Sequence, residues 1–330
     1  MKNLKTIIFI SIIFTGGLSC ENAAFFKPVN YRSEMRRFVK EISQYAKTGK
    51  KRFYIVPQNG QELAETVTET NVYTETDYIE SIDAVGREDL FYGYTGDNKK
   101  TPAFITDSLT RLCNIFKTRK KPVFVTDYCL SHKNADLSYL KNNKMGYISF
   151  AANGRALNTV PEYPDAPYNK NNSDITKIEE VKNFLYLING ENYKTKEEFI
   201  SALEKTDFDL LIIDLFHNEE QFTKREIEKL KLKKSGGKRL VLCYLSIGEA
   251  EDYRYYWNPL WKKNKPVWLK NENPDWKGNY KVAYWNKEWK KIIYGASGSY
   301  LDKILDSNFD GVYLDIIDAF EYFENNEENR

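Results

Sequence analysis

Two hydrophobic rhythms alternate along this chain. Short runs of almost uniformly apolar residues cover 53–57, 123–126, 147–151, 184–188, 210–213, 240–245 and 312–316. Such runs predict strands covered on both faces rather than strands with one wet face. Between them, apolar residues recur every three or four positions. Met35, Phe38, Val39, Ile42 and Tyr45 share one face of a helix predicted over 31–47, and Ile105, Leu109, Leu112 and Phe116 do so over 102–118. Further helices are predicted over 61–69, 196–205, 224–234, 287–294 and 299–307, the 224–234 helix being stopped by Ser235-Gly-Gly237.

Strand–helix alternation argues for βαβ units and a parallel sheet. Weaker strand patterns at 79–85 and 280–285 bring the candidates to nine. The expected fold is an α/β chain forming a single-domain (β/α)8 barrel over 31–330, with one of 79–85, 147–151 and 280–285 peripheral to eight barrel strands. A doubly wound open sheet competes, but it normally carries a glycine-rich turn after its first strand, and none follows residues 53–57 here.

Composition narrows the function. Lys plus Arg (49) nearly balance Asp plus Glu (47), which removes the electrostatic case for a nucleic-acid partner. Residues 1–19 read as a signal peptide: a basic start at Lys2 and Lys5, an apolar stretch over 6–14 too short to span a bilayer, then Gly16-Gly-Leu-Ser-Cys20. Small residues before Cys20 resemble a bacterial lipoprotein processing site, with Gly17 and Leu18 out of the usual order. A plain secretory signal cut after Ala24 is the alternative. Residues 20–30 then form a tether, and the mature protein is exported to the cell envelope, its only membrane link a lipid on Cys20. Cys113, Cys129 and Cys243 lack metal-ligand spacing and read as small buried hydrophobes.

The candidate chemistry lies at the strand ends. Asn59, Glu88, Asp127, Asp214, Glu249 and Asp315 each follow or close an apolar run. In a parallel barrel those ends share one face, where barrel enzymes keep their active sites. Crowded carboxylates raise one another's pKa, so that one stays protonated as general acid while another stays ionised. Two carboxylates with unequal surroundings are the minimum apparatus of glycoside hydrolysis. Asp214 and Glu249 are the expected catalytic pair, with Asp315, Glu88, Asp127, Asn59, Tyr244 and Glu272 holding substrate. All six tryptophans fall between Trp257 and Trp289. They predict a long loop with its own aromatic core, from which Trp257 and Trp285 present faces for sugar rings to stack on. Neither His132 nor His217 sits in a triad or ligand motif. No metal or cofactor is expected.

Several stretches resemble family-114 glycoside hydrolases, the endo-α-1,4-polygalactosaminidases. They are Phe184-Leu-Tyr-Leu-Ile188, Asp209-Leu-Leu-Ile-Ile-Asp-Leu-Phe216, Cys243-Tyr-Leu-Ser-Ile-Gly-Glu-Ala-Glu251 and Phe309-Asp-Gly-Val-Tyr-Leu-Asp-Ile-Ile-Asp318, with Pro57-Gln-Asn-Gly60 and Gly86-Arg-Glu-Asp-Leu-Phe-Tyr92 in the first half. The resemblance implies a (β/α)8 barrel that cleaves α-1,4-linked galactosamine-rich polysaccharide with an Asp, mapped onto Asp214, and a downstream Glu. The place of that Glu in the fungal branch corresponds to Asn279, which moves the role to Glu249 or Glu272, and Glu249 closes a strand. The same departure keeps open a non-catalytic, carbohydrate-binding lipoprotein. The segment order is reversed relative to the family, which implies a circular permutation.

Overall fold

A computed structural model describes residues 29–50 and 52–327. The signal segment, Cys20 and most of the tether lie outside them. Eight parallel strands organise the rest: β1 (Tyr54–Pro57), β2 (Val85–Glu88), β3 (Val123–Tyr128), β4 (Ile148–Ala152), β5 (Phe184–Tyr186), β6 (Leu210–Ile213), β7 (Leu240–Ser246) and β8 (Gly311–Asp315). They form a five-stranded sheet in the order β1-β8-β7-β6-β5 and a three-stranded sheet in the order β2-β3-β4. A parallel bridge from Gln58 to Gly86 joins β1 to β2. Between β4 and β5 no ladder forms; Phe150 and Phe184 pack there with ring centroids 5.8 Å apart.

The strands' inner faces stack in layers. Phe124, Phe150 and Phe184 form one, Phe124 lying 5.4 Å from Phe184. Tyr186 and Tyr313 meet edge to face at 5.2 Å in the next. Gly86 makes that layer possible, since a β-carbon there would overlap the Tyr313 hydroxyl. Helices cover the sheets outside. Tyr31–Gly49 buries Met35, Phe38, Val39, Ile42 and Ala46, each large apolar side chain contributing about 1.5–3 kcal/mol. This first helix also meets the last, Ala319–Glu327: Arg32 pairs with Glu324 at 2.9 Å and Tyr31 stacks on Phe323 at 5.3 Å. At the opposite end of the strands from the candidate chemistry, Asp209 and Lys233 form a fully buried pair at 2.6 Å, supported by Asn171 and the Lys182 amide.

Several expected elements differ. The helix over 61–69 is only a 3-10 turn, Gln61–Ala64, followed by an antiparallel hairpin of Glu65–Val67 and Val72–Thr74. Thr66, Val67 and Thr68 are β-branched, and Thr68 closes the turn by bonding Asn71. The strand over 79–85 is instead a short helix, Thr76–Ser81, with β2 starting only at Val85. Residues 280–285 supply the peripheral strand: Asn279–Val282 lies in a separate antiparallel sheet between Glu249–Glu251 and Leu269–Glu272. A helix over His132–Met145 has no counterpart among the sequence expectations. Its buried face is Ala135, Ser138, Tyr139 and Asn142, too polar to show as a hydrophobic stripe, although Ser131 and Gly146 cap it.

Candidate active site

Three strand ends bring the site together. β1 leads into Gln58, β2 closes on Glu88 and β8 on Asp315. The residue after each has a left-handed backbone: Asn59 (φ 61°), Asp89 (φ 60°) and Ile316 (φ 57°). The chain therefore turns away immediately past each functional side chain. A β-branched residue such as Ile316 adopts this conformation at a cost of about 1–3 kcal/mol, which the surroundings must offset. Part of that surrounding is Gly248, where any β-carbon would strike the Ile316 carbonyl.

The side chains at these ends form one hydrogen-bonded unit. Gln58 Nε2 donates to Glu88 Oε2 at 2.7 Å and to Asp315 Oδ1 at 3.1 Å. Glu88 also accepts from Asn59 Nδ2 at 3.1 Å and from the Tyr128 hydroxyl. The other oxygen of Asp315 accepts from the Tyr244 hydroxyl at 2.8 Å. Burial, followed by the charge of Glu88, pushes the Asp315 carboxyl up to about 8, against the opposing bond from Tyr244. Asp315 therefore keeps its proton at neutral pH. Burial likewise holds the Tyr128, Tyr186 and Tyr244 hydroxyls in their protonated, donating form.

A second ring of charge surrounds this unit. Burial and the neighbouring Glu88 push Asp89 up to about 6, while Arg155, 2.8 Å from it, pulls the other way. The Arg155 guanidinium lies 4.2 Å over the ring of Tyr128, the donor to Glu88. Burial also pushes Asp318, three residues beyond Asp315, up to about 6, opposed by Arg87.

The expected catalytic pair lies elsewhere in the network. Asp214 is buried against Arg254 in a two-pronged ion pair of 2.8 and 2.7 Å, and Arg254 also holds Glu251 at 2.5 Å. Glu249 does not close a parallel strand, because β7 ends at Ser246. It is fully buried in the antiparallel sheet, paired with Lys281 at 2.5 Å and bonded by Asn273 and Asn279 at 2.8 and 3.2 Å. Asp214 and Glu249 share no partner, and each has its charge matched by a cation.

The remaining expected residues divide. Asn59 and Tyr244 touch the carboxylate unit directly. Asp127 does not face it: wholly buried, it accepts from the Phe91 and Tyr92 amides, Ser138 Oγ and Asn142 Nδ2, and so ties β3 to its neighbours. Trp257 packs on Tyr280 and Trp261, at 4.9 and 5.3 Å, and Trp285 sits among Tyr31, Tyr284 and Phe323. Trp257 belongs to the loop's own aromatic core and Trp285 to the packing of the first helix on the last, and the exposed indole is that of Trp276, at 53%. Glu272 is exposed and accepts the Gly278 amide at 2.7 Å, closing its own turn. Gln58, Tyr128, Tyr186 and Tyr313 join the site without having been expected there. Gln58 and Tyr128 carry the same signal as the chosen acids, a polar group ending an apolar run. The two buried tyrosines carry none.

Comparison with known proteins finds relatives that match part of the chain. An uncharacterized protein of Methanocaldococcus jannaschii is 43% identical over 160 residues, 48% of this chain and 43% of the relative. Uncharacterized proteins of Thermotoga maritima and Deinococcus radiodurans are 40% identical over 121 residues and 38% over 126. These matches cover 37% and 38% of this chain, and 36% and 38% of the relatives. The chain thus spans less than half the length of the curated relatives it matches. The glycoside-hydrolase family GH114 model matches residues 169–330, a segment holding Asp315 and Tyr244 but not Gln58, Glu88 or Tyr128. Over residues 169–330, just under half of its length, the chain is similar to glycoside-hydrolase family GH114.

Proposed function

We propose that the protein is an exported glycoside hydrolase whose reacting pair is Asp315 and Glu88, in place of Asp214 and Glu249. The observation that carries this reading is the single Gln58 amide shared between the two carboxyls. Asp315 donates its proton to the glycosidic oxygen as the bond to the anomeric carbon breaks. Glu88, set by three neutral donors, takes the opposite side of that carbon, either bonding to it or removing a proton from an incoming water. Tyr128 and Tyr244 hold the two acids in place. Asp214 keeps a structural role through Arg254.

The substrate we propose is an α-1,4-linked galactosamine-type polymer, consistent with the family and with a carboxylate-rich mouth that attracts cationic amines. Asp89 and Asp318 at that mouth support this choice. The fold we propose is the (β/α)8 barrel, supported by eight parallel strands that neighbour one another in chain order. A circular permutation accounts for the family match beginning at residue 169, and contact between the first and last helices gives the chain ends the proximity it needs. Export and lipidation at Cys20 remain part of the proposal on the strength of the N-terminal sequence. The test is release of new reducing ends from partly N-acetylated α-1,4-galactosamine polymer. Wild type should release them and Glu88→Gln should not. Full turnover by Glu88→Gln, with Asp214→Asn inactive, would return the assignment to Asp214.

A further inference from the structure

Gln58 is 2% exposed, and its Oε1 has no hydrogen-bond partner among the described residues. Thr126 Oγ1 and Tyr313 Oη are buried in the same condition. Strand register brings all three to one place. Gln58 is bridged to Gly86, Gly86 and Glu88 pair with Phe124 and Thr126, and the Tyr313 hydroxyl rests against Gly86. Register thus places the three residues on adjoining strands around Gly86 and Glu88, next to the carboxylate unit.

Buried polar groups are almost always satisfied, and an internal water typically takes about three such partners. The orientation of the Gln58 amide is fixed by its neighbours. Turning it over would set Oε1 against the oxygens of Glu88 and Asp315, so Nε2 must face them and Oε1 must face inward. An amide that bonds on one side only is free to rotate; one gripped at both ends is not.

We propose that Gln58 is a positioning residue, and that a buried water held by Gln58 Oε1, Thr126 Oγ1 and Tyr313 Oη locks its amide toward Glu88 and Asp315. The water donates to Gln58 Oε1, and the Tyr313 and Thr126 hydroxyls complete its shell. Gln58 then keeps the two carboxyls in one unit without itself touching substrate. This rests on the reading of Glu88 and Asp315 as the reacting pair.

The experiment combines crystallography, kinetics and carboxyl titration. A high-resolution crystal structure of the wild type should show one water within about 3.2 Å of all three atoms. Thr126→Val should displace it. Gln58→Met, which keeps the volume, should lower kcat on the galactosamine polymer about tenfold or more with KM within about twofold, because it disturbs geometry rather than binding. Thr126→Val should lower kcat a few-fold. Carbon-13 NMR of the Asp and Glu carboxyls reads the unit without turnover: Gln58→Met should move the titration of Asp315 and leave that of Asp207, at the far end of the strands, unchanged. Direct bonding among the three atoms with no water would overturn the proposal. So would Gln58→Met with wild-type kcat and an unmoved Asp315 titration. If the wild type cleaves no amino-sugar polymer, the hydrolase reading fails, while the crystal and NMR results still decide the role of Gln58.

Discussion

Replacing Asp315 by Asn should abolish turnover and at the same time stabilise the fold, by an amount that grows with pH. The folded carboxyl is raised from 3.8 to about 8, so the folded protein binds this proton more tightly than the unfolded chain does. Below about pH 3 the carboxyl is protonated in both states and costs little. As pH rises the unfolded chain ionises freely while the folded site resists, and the penalty grows until pH passes about 8. At about 1.36 kcal/mol per pH unit, the upper bound is roughly 6 kcal/mol. Asp315 is only half-buried, and water relaxing around its carboxylate returns much of that, so a gain of about 1–3 kcal/mol is expected. The asparagine oxygen can still accept from Gln58 Nε2 while its amide nitrogen donates to the Tyr244 oxygen. Urea unfolding at about pH 4.5 and about pH 8.5 measures the gain as a shift in midpoint at constant slope. By heat, each kcal/mol should add about 2 °C to Tm in a chain of this size. A difference between variant and wild type that is flat across this range, or that shrinks as pH rises, would show that Asp315 is not a strained acid.

Activity should follow the same group. kcat/KM should fall above about pH 8 as Asp315 loses its proton, a limb that a pH–rate profile would show and Asp214→Asn should leave in place. Arg254→Met strips the cation from buried Asp214 and Glu251 and should cost about 3–5 kcal/mol in denaturant unfolding, with residual folded protein still active. Lys233→Met should cost about the same by leaving Asp209 buried and unpaired, far from the chemistry, so that kcat is unchanged. Gly86→Ala forces Tyr313 aside and should cost about 1–3 kcal/mol, part of it recovered in the double variant with Tyr313→Leu.

The parallel strands are legible in the sequence because burial on both faces leaves an unmistakable apolar run, as at Leu210–Ile213 and Leu240–Ser246. The convergence of their ends is legible too: Glu88, Asp315, Asn59 and Tyr244 all stand out, and all meet at the site. Their division of labour is not. An apolar run ending in a carboxylate looks alike at Asp214 and at Asp315; only the fold reveals that Arg254, forty residues beyond Asp214, reaches back to neutralise it. Glu249 misleads because Ser246-Ile-Gly248 reads as a continuation of β7, whereas the strand stops and a second, antiparallel one begins. Asp127 follows the alternation of β3, which turns Tyr128 toward Glu88 and Asp127 toward the helix over residues 132–145. The helix that receives it is hidden by its polar buried face.

The carboxylates proposed to react differ from the others in the kind of partner each one has. Asp214, Glu249, Glu251 and Asp209 are each matched by a cation, Arg254, Lys281 or Lys233. The lone pairs of such an acid are already committed to its partners. Glu88 and Asp315 take their hydrogen bonds from Gln58, Asn59, Tyr128 and Tyr244, all of them neutral. Neutral donors lower a carboxyl less than a cation would, and burial with the charge of Glu88 then leaves Asp315 its proton. A cation beside Asp315 would undo that. Tyr244→Lys is therefore the decisive substitution: it keeps a donor near Asp315 but adds a charge, which lowers the Asp315 carboxyl and should abolish general-acid catalysis at neutral pH while Tyr244→Phe retains part of it. Equal activity in the two variants would mean that the charge state of Asp315 does not govern the reaction.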